Sequence, residues 1–201
     1  MKPVREDITA YAHLALAGIG PVCGTVEVTS ACYQRCLLCQ SWREAKACGR
    51  TDSWKLEDMI ELCEQSAASS NGFKHLTLTG GDPMAWHPFN DFLRWFGKNK
   101  ARLGFRLQIS TALMQLPNHM QLWADAVDVV RVSLDAVDPA TYRLMRGVPA
   151  DPQDIIDRMR MLSNFDVELS TITTVCPENV NEVRPIIQTL RDRLGKRLRK
   201  A

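Results

Sequence analysis

A chain of 201 residues, 45% hydrophobic and 24% charged, has the composition of one globular domain with a sizeable core. Its seven cysteines are odd in number and the chain is far above mini-protein size, so thiols kept reduced in a cytoplasmic setting fit better than a disulfide framework. Residues 1–8 are charged and no apolar run approaches a membrane span, which argues against a signal peptide and a membrane protein. The formal charge of +2 conceals an asymmetry, because residues 191–201 carry net +5 and leave −3 on the remainder. We read that tail as the solvated end of a last helix and expect no nucleic acid from it.

In chain order, residues 26–29 read as a first strand. Directly after it stand Cys32, Cys36 and Cys39, spaced C-x3-C-x2-C. Three soft thiolates on one loop can hold three corners of an iron–sulfur cube and leave the fourth iron open to another ligand. The rival is zinc, with Cys23 or Cys48 as a fourth thiolate, although zinc sites usually come as two short pairs rather than a triplet. Leu56, Met59, Ile60 and Cys63 then mark one face of a helix that Asn71-Gly72 ends, and residues 75–79 read as a second strand. Gly80, Gly81, Asp82 and Pro83 follow it, where glycines let backbone approach a ligand and leave carbonyls to accept from an amine. Alone, the same four residues describe a tight turn.

Phe89, Phe92, Leu93 and Phe96 form a second helical face, and residues 105–109 alternate as a third strand that ends at Ser110 and Thr111. Asn118 is placed to cap a short helix through Trp123, and residues 127–134 suit a buried fourth strand ending in Ser133 and Asp135. A hydroxyl and a carboxylate on one face suit a ribose diol, while each residue by itself also suits a turn or a cap. Asp138-Pro139 and Asp151-Pro152 are helix starts, the second preceding Ile155, Ile156, Met159 and Leu162. Residues 167–175 read as a fifth strand, with Thr171, Thr173 and Val175 at its end. Asn181 is placed to cap a last helix whose inner side holds Val183, Ile186, Ile187, Leu190 and Leu194.

Alternating strands and helices predict an α/β fold, a partial (β/α) barrel on a parallel sheet. We count five β/α pairs, too few to close, so an edge must be covered by a partner, a second copy or the N-terminal segment. The glycine and polar clusters fall at the same end of successive strands, where such folds work. Cys63 and Cys176 read as buried or incidental. The histidines, His13, His75, His87 and His119, show no ligand spacing, and Trp42 is placed to line the cysteine site.

Cys32-x3-Cys36-x2-Cys39, Gly80 to Pro83, Arg131-Val132-Ser133-Leu134-Asp135 and Met145-Arg146-Gly147, in this order, resemble the radical S-adenosylmethionine (radical SAM) superfamily. The stretch from Arg131 to Gly147 looks most like the branch of molybdenum-cofactor synthases and peptide maturases. The resemblance implies a 4Fe-4S cluster on Cys32, Cys36 and Cys39 and S-adenosyl-L-methionine on its open iron. It also implies an electron donor such as flavodoxin or ferredoxin, and a small organic or peptide substrate. The cofactor residues implied are Gly80, Gly81, Asp82 and Pro83 for the methionine amine, Ser133 and Asp135 for the ribose and Arg146 for the carboxylate. Ser110, Thr111, Thr173 and Val175 would line the same mouth, and no catalytic residue is named. An activase that installs a glycyl radical is the alternative within the family, and a non-catalytic zinc- or cluster-binding module the alternative outside it.

Three departures are visible. Leu38 stands where an aromatic is common, Asp82 where glutamate is commoner, and no cysteine follows Cys176 to carry auxiliary clusters. The expected organisation is one core domain over residues 1–201, with residues 1–21 an N-terminal extension and 191–201 a basic tail. The family core has six β/α units against our five.

Overall fold

Strands and helices alternate along this protein, the helices returning along one side of the sheet, and among the described residues six strands lie side by side. The computed structural model describes residues 23–48, 52–70, 72–116, 119–195 and 198–200. The strands are β1 (Cys23–Thr29), β2 (His75–Gly80), β3 (Arg106–Thr111), β4 (Val129–Ser133), β5 (Glu168–Ile172) and β6 (Leu198–Lys200). The helices are α1 (Ser41–Cys48), α2 (Leu56–Ala68), α3 (Phe89–Leu103), α4 (Met120–Ala126), α5 (Pro139–Arg146), α6 (Pro152–Leu162) and α7 (Val183–Leu194). The sheet order is β1-β2-β3-β4-β5-β6 with every pairing parallel.

Alternation decides which way each strand faces. Val26, Val28, Leu76, Leu78, Leu107, Ile109, Val130, Val132 and Leu169 are buried and meet the helices, because a pleated strand sends successive side chains to opposite faces. The partners on α3 are Phe92, Leu93 and Phe96. Phe96 stacks on Phe105 with ring centroids 5.6 Å apart, and Phe89 meets Trp123 at 5.6 Å. Gly104, left-handed at φ 72°, stops α3 by donating to the Lys100 carbonyl. Asp138 and Asp151 cap α5 and α6 as their sequence indicates, accepting from Thr141 N and Gln153 N.

Several expectations change. A sixth strand replaces the solvated helix end expected of the basic tail: Leu198 and Lys200 pair with Leu169 and Ser170, and so cover the edge of β5. The outer edge of β1 is covered in part, where Thr29 bridges Ser53 and Trp54 N donates to Val28 O at 2.9 Å. The last helix begins at Val183, directly after a 3-10 turn over Val180–Glu182, and Glu182 at the cap position makes no side-chain cap, so Asn181 is not its cap. Ile187 is 37% exposed and Ile60 is only half-buried, since both stand at the border of their apolar stripe. Helix α1, directly behind the cysteines, was not legible. Residues 1–22, Asn71 and Asn118 lie outside the described residues, and with them the N-terminal extension, His13 and the proposed Asn118 cap. Among the described residues no helix is long and apolar enough to cross a membrane.

Candidate active site

The loop that follows β1 has little regular structure of its own, so its backbone polar groups must find partners elsewhere. They find them on three sides. Gly81 N donates to Thr29 O at 2.7 Å and Asp82 N to Ala31 O at 2.8 Å, which ties the end of β2 to the start of the loop. Arg35 N and Leu37 N donate to the carbonyls of Arg146 and Met145 at 3.0 and 2.8 Å, groups that the end of α5 would otherwise leave unpaired. Behind the loop, Arg43 donates to the carbonyls of Cys39 and Leu37, both at 2.6 Å, and Trp42 Nε1 to that of Cys36 at 3.0 Å. The Arg43 guanidinium also lies 4.8 Å from the Trp42 ring.

With the loop so fixed, Cys32, Cys36 and Cys39 all line one cavity of ≈ 250 Å³ at the carboxyl ends of the strands. All three are free thiols. Burial pushes the Cys32 and Cys36 thiols up, and at Cys36 the neighbouring Arg146 pulls the other way. Cys23 begins β1 while the loop follows its far end, roughly 20 Å of extended strand away, so it is remote from the site. Cys63 is wholly buried on the inner face of α2. Cys176 lies beyond β5, its Sγ 3.6 Å from Met145 Sδ. The Cys48 side chain lies outside the described residues.

Among the described residues no three His, Cys, Asp or Glu side chains converge on a single-ion position. A polynuclear cluster asks for less, because each thiolate binds a different iron. The donor set therefore fits a cube with one iron per cysteine.

The remaining predicted residues divide. Gly80, Gly81, Ser110, Thr111, Ser133, Asp135 and Arg146 line the same cavity as the cysteines. Gly80 has φ 136° and Gly81 lies so close to Ala31 O that a Cβ would overlap it; only glycine permits this approach. Asp82 turns away. Its buried carboxylate accepts from Ala112 N, Met84 N and Thr111 Oγ1 at 2.9–3.0 Å, and burial pushes it up against the pull of those donors. Pro83 is buried at the start of a 3-10 turn. Thr173 gives its hydroxyl to Leu134 O at 2.7 Å and Val175 is 54% exposed; neither lines the cavity. Thr174 lines it instead, since the chain leaves β5 at Ile172 and strand alternation ends there.

Arg146 is the centre of the far wall. It is 7% exposed, pairs with Asp135 at 2.9 Å and approaches Gln34 Oε1 at 3.4 Å and Cys36 Sγ at 3.7 Å. Its Nε is buried without a partner among the described residues, a donor left for a ligand. Asp135 also accepts from Thr174 N at 2.8 Å. Gln34, which the sequence did not single out, donates to Tyr142 Oη at 3.3 Å and to Met114 Sδ at 3.2 Å, joining the loop to both neighbouring walls. Trp42 lines the cavity as expected, beside exposed Leu38.

A parallel partial (β/α) barrel with three loop cysteines, a glycine pair and a polar rim at one end of its strands defines a class, and the sequence pattern of the Radical SAM superfamily matches residues 26–190. The chain belongs to that superfamily. Among its relatives is the GTP 3',8-cyclase of Rhizobium etli (strain CIAT 652), 31% identical over 119 residues, which are 59% of this chain and 33% of that protein. The GTP 3',8-cyclase of Bradyrhizobium diazoefficiens is 32% identical over 120 residues, 59% and 34% of the two chains. The chain thus spans about a third of the length of the curated relatives it matches. Streptococcus suis SuiB bound to S-adenosylmethionine superposes with TM-score 0.73 and 14% identity over 94% of this chain and 43% of that one. Methylornithine synthase (PylB) does so with TM-score 0.60 and 17% identity over 96% and 57%. At these identities the structural likeness is one of fold. The relatives favour neither the glycyl-radical activase nor the zinc module.

Proposed function

We propose that this chain is the core of a radical SAM enzyme that takes a hydrogen atom from a small organic or peptide substrate. Cys32, Cys36 and Cys39 would hold a 4Fe-4S cluster, with S-adenosyl-L-methionine at its open iron. When bound, the pair supplies a one-electron reductive cleavage of the sulfonium to methionine and a 5'-deoxyadenosyl radical.

The chain's own residues do the rest. The loop fixes three thiols on one cavity wall, and that observation carries the reading. Gly80 and Gly81 open backbone to an amino group, and Ser133 and Asp135 stand on the rim for a ribose. Arg146 keeps Nε for a carboxylate while its two terminal nitrogens face Asp135, Gln34 and Cys36. Its positive charge beside Cys36 favours thiolate over thiol. Ser110 and Thr111 line the floor, with Thr111 spent on Asp82. The crystal structure of SuiB bound to its precursor peptide SuiA supports a peptide, and the GTP 3',8-cyclase relatives support a small molecule.

The reading extends to a cytoplasmic enzyme served by a flavodoxin or ferredoxin, a single core domain over residues 1–201, and a dimer or partner over any edge left open. Anaerobic reconstitution followed by metal analysis and electron paramagnetic resonance tests it. We expect about four iron and four sulfide per chain, a spectrum altered by S-adenosylmethionine, and release of 5'-deoxyadenosine on reduction. Cys36→Ala should abolish turnover. One equivalent of zinc with no cleavage sinks the proposal.

A further inference from the structure

Below the cysteine cavity, on the inner face of the sheet, the structure holds a second cavity of ≈ 360 Å³, within the range of small-molecule sites. The two are stacked along the strands. On β3 the cavity residues run from Arg106 and Gln108 in the lower chamber to Ser110 in the upper; on β4 they run from Arg131 to Ser133. Arg131 therefore stands two residues, roughly 6.6 Å, beneath the rim serine. Closed barrels of this kind fill their interior with branched apolar side chains. Here the wall sets His75, Arg106, Gln108, Arg131, Glu168 and Ser170 beside Val129, Leu169 and Ile172, a mostly polar surface that suits a polar guest.

The charges in the lower chamber are not equally satisfied. Arg106 pairs with Glu168 at 2.9 Å and lies 4.0 Å from Asp128. Arg131 is half-buried and has no hydrogen bond or ion pair among the described residues. Its register partner on β5 is Ser170, whose Oγ is buried and also without a partner. A half-buried guanidinium costs free energy unless something pairs with it, and the residue of the unpaired hydroxyl lines the same cavity. The one carboxylate in the lining, Glu168, is engaged by Arg106, so the two remaining donors describe an acceptor site for an anion, and arginine's planar fork suits carboxylate and phosphate above other groups.

We propose that Arg131, with Ser170, anchors an anionic group of the substrate, a carboxylate or a phosphate, in the lower chamber and so points the rest of the substrate up toward the cysteine cavity. This rests on reading that cavity as the cofactor site. Arg131 is a positioning and specificity residue, remote from the thiols.

Anion binding to the reconstituted full chain tests it, measured by calorimetry with inorganic phosphate and with acetate as separate probes. Phosphate outbinding acetate identifies a phosphorylated substrate; the reverse identifies a carboxylate. Arg131→Gln should weaken the preferred probe about ten- to hundredfold, the ratio carried by a hydrogen bond to a charged group, and Arg131→Lys should fall between the two. Independently of any variant, that anion should protect Arg131 of the native chain from phenylglyoxal, read by peptide mass spectrometry. Unchanged affinity in Arg131→Gln, no binding to the native chain, or loss that follows Arg191→Gln with Arg193→Gln instead would overturn the proposal. Iron content and 5'-deoxyadenosine release are scored separately. Cleavage without anion binding removes this inference alone, and anion binding without cleavage removes the cofactor reading alone.

Discussion

The cysteine loop is held on two opposite sides by different physics. On the β2 side the contact is backbone to backbone: Gly81 and Asp82 donate to Thr29 and Ala31, and the approach works only because two side chains are missing. On the α5 side the carbonyls of Met145 and Arg146 receive two loop N–H groups, and the same Arg146 sends its guanidinium back into the site to meet Asp135. The first clamp is steric and indifferent to charge. The second makes the position of the loop depend on a buried ion pair. A loop that must hold thiols still can thus be fixed by shape on one side, while the other side also tunes the charge around Cys36.

The largest expected effect breaks the charged clamp. Arg146→Met removes the partner of a buried carboxylate, and breaking such a pair from one side costs about 3–5 kcal/mol. Denaturant unfolding of the cluster-free chain should show it. The double variant Arg146→Met with Asp135→Leu removes both charges and should lose much less than Arg146→Met alone. Equal losses would mean that Asp135 is not what Arg146 serves.

The steric clamp should break more mildly. Gly80→Ala places a Cβ against Thr29 O at a positive φ, and we expect about 3 kcal/mol from backbone strain and overlap together, along with reduced iron uptake. Gly104→Ala is the control. It also has positive φ but meets nothing within 4 Å, so it should cost only the left-handed penalty of about 1 kcal/mol and leave iron uptake unchanged. If the two variants behave alike, close approach to Thr29 is not what Gly80 provides.

The two clamps also differ in how far they could be read from sequence. Glycines at a strand end declare a backbone approach, so Gly80 and Gly81 were legible, and so was the burial side of each strand, because one force sets the alternation from Leu76 to Leu169. The charged clamp was legible only as the Met145-Arg146-Gly147 motif. Its function depends on Gln34, whose partners lie 80, 108 and 112 residues away, and no local pattern carries such distances. Helix α1 was silent because its eight residues, SWREAKAC, have a weak apolar face. β6 was hidden by its charge, which suggested solvent where the backbone adds a strand. At β5, alternation pointed to Thr173 and Val175, but the strand ends at Ile172 and Thr174 lines the cavity instead.

The smallest effect concerns a thiol that neither clamp holds. Cys63 is wholly buried, and burial pushes its pKa up to about 12, so at pH 8.5 fewer than about one in a thousand of these thiols is ionised. Iodoacetamide should label exposed Cys23 and leave Cys63 untouched until the chain unfolds, as peptide mass spectrometry would show. The sign of the linkage follows. The fold prefers the neutral thiol, so the stability it carries is complete below the ordinary pKa near 9 and is lost as pH climbs from there toward 12. Cys63→Ala should flatten that alkaline loss while sparing iron uptake. If Cys63 reacts as fast as Cys23, then α2 is not packed on the sheet as the burial of Cys63 requires.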